Sequence, residues 1–235
     1  MEVRGGLLMR KRWLQIIVAL LIIIVFIIGG FIIMGKQKVP NTPAFNHDFT
    51  KEFLVKDAET PEGYHLFESG TKKYRMLFPE NYVMSDGSYY QKKGVKSNEF
   101  NTENVYLYQE DASPKEDKLI KEVNLFLKPD GNAVIEATLD VILDNINASS
   151  DTEFEKYIDE SLTIYYVENI DDYHADGIID RNFYFYGFIT DNNSKQAIYF
   201  EMRDKCFNIN AKKCTIDFEE EKKKGLKMMK SVEFM

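Results

Sequence analysis

The side chains best suited to chemistry are few and scattered. The chain carries three histidines. His47 falls in a proline-punctuated stretch, His65 in a strand-like run and His174 in an acidic segment. No local pattern joins any of them to a hydroxyl or thiol nucleophile, as acyl-transfer catalysis requires. Ser69-Gly70-Thr71-Lys72 matches S-x-x-K, but the S-x-N and K-T-G companions of a penicillin-interacting serine site do not follow in order. The match therefore reads as a polar turn. G-x-S-x-G, the P-loop, G-x-G-x-x-G and H-E-x-x-H are all absent. The expectation is no catalytic residue, no cofactor and no enzymatic activity.

Metal chemistry fares little better. Asp172 to Asp180 echoes a calcium loop, with acids at the first, fifth and ninth positions and Gly177 at the sixth. His174 takes a position that needs an oxygen ligand, and Phe183 stands where a bidentate Glu belongs. The segment reads as an acidic surface loop turned at Gly177, and no metal is expected. Cys206 and Cys214 are the two cysteines, separated by a polar stretch. In an exported domain they suggest one disulfide, contributing about 2–3 kcal/mol in the chain-entropy model. Free thiols in an inward-facing domain are the alternative. A zinc site would be unfinished, with no histidine nearby.

The elements that would position such residues start with a membrane segment. Trp13–Met34 is 22 residues without a formal charge, and Gln15 is its strongly polar member. As a helix it reaches about 33 Å, enough to cross a bilayer. Arg4, Arg10, Lys11 and Arg12 precede it and Lys36 and Lys38 follow, which favours the N-terminus inside. The stretch is longer than a signal-peptide core, ends without a small-x-small site and is followed by no cysteine for lipid attachment. It reads as an uncleaved signal-anchor. Residues 1–38 carry +5 of a chain whose net charge is −8, leaving −13 for the remainder. So acidic a domain is repelled by phosphate backbones, which argues against nucleic acid.

The expected organisation is a cytoplasmic tail over residues 1–12, the transmembrane helix over 13–34, an extracytoplasmic tether over 35–60 and a globular domain over 61–235. Pro40, Pro43 and Pro61 mark the tether, which as a flexible coil would hold the domain roughly 25–30 Å from the bilayer. Phe45, Phe49, Phe53 and Leu54 could dock part of it. Alternation and turn residues predict strands over 64–68, 74–79, 88–92, 104–110, 125–128, 162–169, 182–190 and 195–204. A change of period predicts a largely buried helix over 132–145, and a second helix spans 218–229 before a short terminal strand. The run Glu219–Lys224 within it pairs acids with bases three residues on and reads as a solvated face.

Strand 182–190 is apolar or aromatic on both faces, so it should be central. Tyr106, Tyr108, Tyr184, Tyr186 and Tyr199 fall on one face of the sheet. Helices covering that face is the simpler expectation; a tyrosine-lined surface for a ligand or partner is the functional one.

The run Tyr74-Arg75-Met76-Leu77-Phe78-Pro79-Glu80 with Tyr82 resembles the opening motif of the PsbP-like fold, and Lys230-Ser231-Val232-Glu233-Phe234 resembles the close of its bacterial extracytoplasmic members. The resemblance spans about residues 64–235 and rests on short, degenerate patterns. It implies an α+β fold, an antiparallel sheet packed between helical layers, and an accessory or binding role without catalysis. The combined expectation is a single-pass protein of a bacterial cytoplasmic membrane, its C-terminal domain outside and bound to an envelope protein or polymer. A structural subunit of a secretion or conjugation assembly is the alternative, with an envelope hydrolase behind it.

Overall fold

Alternating burial along Tyr64–Glu68 (β1) and Tyr74–Pro79 (β2) folds them into an antiparallel hairpin that turns Phe67, Tyr74, Met76 and Phe78 inward. The short terminal strand Glu233–Phe234 (β11) pairs with the other edge of β2, completing a three-stranded sheet. The computed structural model describes residues 40–94, 100–109, 119–130, 134–146, 148, 152–175, 178–207 and 215–235. The expected membrane helix and cytoplasmic tail lie outside these residues; among the described residues no helix is long and apolar enough to cross a membrane.

A second, eight-stranded antiparallel sheet supplies the rest of the frame. It contains β3 (Val83–Met84), β4 (Tyr90–Lys93), β5 (Phe100–Tyr108), β6 (Leu119–Lys128), β7 (Glu155–Ile158), β8 (Leu162–Ala175), β9 (Ile178–Asp191) and β10 (Ala197–Cys206). Their spatial order is β3-β5-β6-β10-β9-β8-β7, with β4 also paired to β5. β9 is an inner strand, and Phe183, Phe185 and Ile189 on one face and Phe188 on the other are fully buried.

Among the described residues three α-helices accompany the sheets: a single turn at Pro43–Asn46 (α1), Ile135–Asn145 (α2) and Phe218–Lys230 (α3). One face of the large sheet is covered by α3 together with the three-stranded sheet, not by a helical layer alone. The opposite face carries α2, which covers part of it. α2 is also far from buried. Its Thr138 and Ile142 reach the core, whereas Val134 and Val141 are 44% and 54% exposed. One side of the helix meets a sheet and the other meets water, so its apolar content exceeds what packing uses.

α3 begins where the Asp217 carboxylate accepts the Glu220 N–H and ends in Lys227 and Lys230, in keeping with the helix dipole. Its buried stripe is Glu221, Gly225, Met228 and Met229, at helical spacing. Glu221 thus leaves the solvated charge run expected for it. The sheet contact is tight at two glycines. A Cβ on Gly225 would stand 2.5 Å from the Phe185 ring, and one on Gly187 of β9 would stand 2.1 Å from Met229 Sδ. The folded unit starts at Asn41, so the proline-rich segment is not all tether. Ala44, Phe45 and Leu54 join the core, because the polar run holds enough apolar side chains to dock.

Gly225→Ala should improve helix propensity by about 1 kcal/mol. It should also force the rigid, fully buried Phe185 ring aside at a cost of about 1–3 kcal/mol, and the packing cost should win. Urea unfolding of the variant is expected to show a lower midpoint with an unchanged slope.

Candidate functional site

Two of the three histidines are held by side-chain hydrogen bonds, and the third lies on the surface. His65 Nε2 lies 2.8 Å from Thr42 Oγ1, which also caps α1 by accepting the Phe45 N–H, and the Phe45 ring meets the imidazole edge-on at 4.6 Å. Burial pushes the His65 pKa down. His47 Nδ1 lies 2.8 Å from Thr50 Oγ1, and Thr50, fully buried, accepts the Met84 N–H. His174 is exposed on β8. The S-x-x-K segment is the β1–β2 turn. Ser69 is fully buried and Lys72 is ion-paired to Glu68. Glu103 of β5, fully buried, accepts hydrogen bonds from Gly70 N–H at 2.8 Å, the Thr71 hydroxyl at 3.0 Å and the Tyr89 hydroxyl at 2.9 Å. That carboxylate fastens the small sheet to the large one.

The calcium-like segment runs along β8 and β9 as a hairpin. Asp172 and Arg181 are cross-strand neighbours joined by two hydrogen bonds of 2.7 and 2.6 Å, which commits the carboxylate to an internal cation. Asp176 and Gly177 lie outside the described residues. No cluster of metal ligands occurs among the described residues. Cys206 ends β10 and is buried, and Cys214 lies outside the described residues.

A buried ionic cluster lies between β6, β10 and α3, and no sequence pattern announced it. Asp204 is fully buried. Lys121 Nζ comes within 3.2 Å of its Oδ2, yet neither carboxylate oxygen receives a directed hydrogen bond. Lys121 also pairs with Glu221, which Lys224 contacts at 2.7 Å. The buried Tyr82 hydroxyl is without a hydrogen-bond partner, and its pKa is pushed up by burial and by the charge of Asp204. Burial, with the nearby Glu221 charge, raises the Asp204 pKa to about 6. The cluster's carboxylates lie buried under α3 while Lys121 and Lys224 reach the surface, so the cluster bears on stability.

The tyrosine face is real but shared. Tyr184 and Tyr186 stack at 6.0 Å, and Tyr199 lies 6.2 Å from Tyr186. Tyr186 is buried beneath α2, whereas Tyr106, Tyr108, Tyr184 and Tyr199 are partly exposed. Tyr106 hydrogen-bonds Glu122, and burial raises its pKa, as it does for Tyr186 and Tyr199. Beside them α2 leaves an open cleft of about 540 Å³. Its sheet wall is Asn104, Asn124, Phe126, Lys128 and Tyr199; its helix wall includes Val134, Ala137, Val141 and Asn145. The size suits a small ligand. Tyr199 is the expected face residue that lines it; the asparagines, Phe126 and Lys128 were not foreseen. Their shared side of β5, β6 and β10 was legible from alternation alone.

An ordinary Asp ionises near 3.8, whereas folded Asp204 does so at about 6. Between those values the folded chain keeps a proton that the unfolded chain has released, so this group's contribution to stability falls as pH rises. Asp204→Asn should flatten that segment of the profile, removing a drop of about 2 kcal/mol, measurable by urea unfolding from pH 4 to 6.

Comparison with known proteins bears on the whole described unit. The chain is 26% identical over 208 residues to the "Putative lipoprotein YvcA" of Bacillus subtilis (strain 168), covering 86% of this chain and 80% of that protein. A family model carrying the same description, "Putative lipoprotein YvcA", matches residues 40–233, nearly the entire folded unit, and the chain belongs to that family.

Proposed function

We propose that this protein is a membrane-anchored, extracytoplasmic binding module without catalysis of its own, and that the cleft beneath α2 is its binding site. The observation that carries the reading is the chemistry of that cleft. It combines exposed apolar surface with amides and a single cation, and none of the histidines lines it. Such a lining suits recognition and orientation, which supports the non-catalytic reading. The name of the Bacillus subtilis relative, a lipoprotein, supports an envelope location at a membrane. The PsbP-like resemblance of the Tyr74–Pro79 strand and the closing segment supports an accessory role.

The anchor of this chain is residues 13–34. Both of its cysteines, Cys206 and Cys214, are remote from that apolar stretch, so no cysteine beside it can carry an acyl group. A charge-free stretch of 22 residues spans a bilayer unaided. A helix confines the domain to a thin layer next to the membrane and raises its effective concentration toward envelope partners.

Four measurements test this. The full chain should remain with membranes through alkaline carbonate washing and should incorporate no labelled palmitate; acyl labelling would replace the helical anchor with a lipid. Cross-linking in intact membranes followed by purification should recover a dominant envelope component. Turnover of an ester, peptide or glycan substrate by the purified protein would overturn the non-catalytic reading.

A further inference from the structure

Half-buried cations in this fold are almost always matched. Arg75 is paired with Glu68, Arg181 with Asp172, Arg203 with Glu122, and Lys222 with Glu155 and Glu168. Lys128 differs. It closes β6 at the cleft with its ammonium 6.0 Å above the Phe188 ring, and no carboxylate lies within ion-pair distance among the described residues. Burial lowers its pKa, as expected for a cation that has lost water without gaining a counter-charge. In a chain of net charge −8, a partly buried cation at a cleft with no carboxylate beside it among the described residues departs from that pattern.

A second departure lies two rungs along the same strand face. The buried Oδ1 of Asn124 has no hydrogen-bond partner. Buried acceptors are nearly always satisfied, and the Asn124 amide, which lines the cleft, would gain a partner by turning toward a donor bound there. Between and above these groups stand apolar surfaces. The Phe126 ring, with Tyr90 at 6.3 Å, forms one wall, and the exposed Val141 forms part of the other. Asn104 and Asn145 add amides, each able to donate and accept.

We propose that the cleft binds an acidic saccharide unit, a sugar ring bearing a carboxylate, as part of an envelope glycan. The less polar face of the ring lies on Phe126, a ring hydroxyl donates to the Asn124 amide oxygen once that amide turns toward the cleft, and the carboxylate pairs with Lys128. A fatty acyl chain would strand the amides, and a neutral sugar would leave Lys128 unmatched. This proposal rests on the cleft being the binding site of a non-catalytic module, and names what that site takes.

The test uses the full chain in nanodiscs of uncharged lipid, titrated calorimetrically with trigalacturonate and with its uncharged counterpart, galactotriose. Trigalacturonate should bind, and galactotriose should bind at least about tenfold more weakly, the weight of a charge-assisted contact. Lys128→Met should erase the difference, Lys128→Arg should retain it, and Asn124→Leu should weaken both ligands. Unchanged thermal midpoints would show that the variants remain folded. Equal affinity for the two saccharides, or indifference to Lys128→Met, would overturn the proposal, as would preferential binding of oleate. If membrane cross-linking still captures one envelope protein while neither saccharide binds, the binding-module reading stands and the acidic-sugar assignment falls. If both fail, the module reading falls with it.

Discussion

The close seat of α3 on the large sheet governs much of this fold. Gly225 and Gly187 remove the side chains that would hold helix and strand apart, and Phe185 and Met229 occupy the space gained. That approach has an electrostatic price. Glu221, one turn before Gly225, is carried under the helix, and Lys121 must enter to meet it. Asp204 is then held in the same dry layer with one imperfect ion pair. Replacing such a cluster with apolar groups is often neutral or stabilising, so the tight packing, not the charges, is what holds the layers together.

The other face of the sheet follows the opposite rule. α2 is seated on it by Ile142 and Ile146 over Tyr186 and Phe188, and it stops short of full coverage. Incomplete coverage leaves together partly wetted aromatics, an unsatisfied amide oxygen and an ammonium with no carboxylate beside it among the described residues. The same sheet therefore has a sealed, stability-bearing side and a concave side where its polar groups remain available.

The fold is legible in the sequence where burial alternates cleanly. β1 and β2 are legible to the residue, because each interleaves large apolar side chains with polar ones around a polar turn. β6 is legible from Leu125 onward, but its first half reads as loop because Lys121 and Glu122 look solvated. Their partners, Glu221 and Arg203, lie 100 and 81 residues away and cannot be seen locally. The acidic Asp172 segment misleads for the same reason, since its strand character depends on Arg181 opposite. Short β7 is polar and at an edge, with little periodic signal. The tyrosine face was readable from alternation, whereas the cleft depends on where α2 lands.

The N-terminal segment of the folded unit carries a mechanical consequence. Residues 41–55 are held by a line of separate contacts: Thr42 with His65, Ala44 N–H to Glu80 O at 3.1 Å, and Val55 N–H to Leu66 O at 2.8 Å. Leu54 bridges Phe67 antiparallel, at the margin of the small sheet. The same segment places Ala44, Phe45 and Leu54 in the core, and its fully buried Thr50 accepts the Met84 N–H. A pull arriving at Asn41 would therefore have to draw these buried side chains into water, so the load would fall on the core itself and not on a releasable strap.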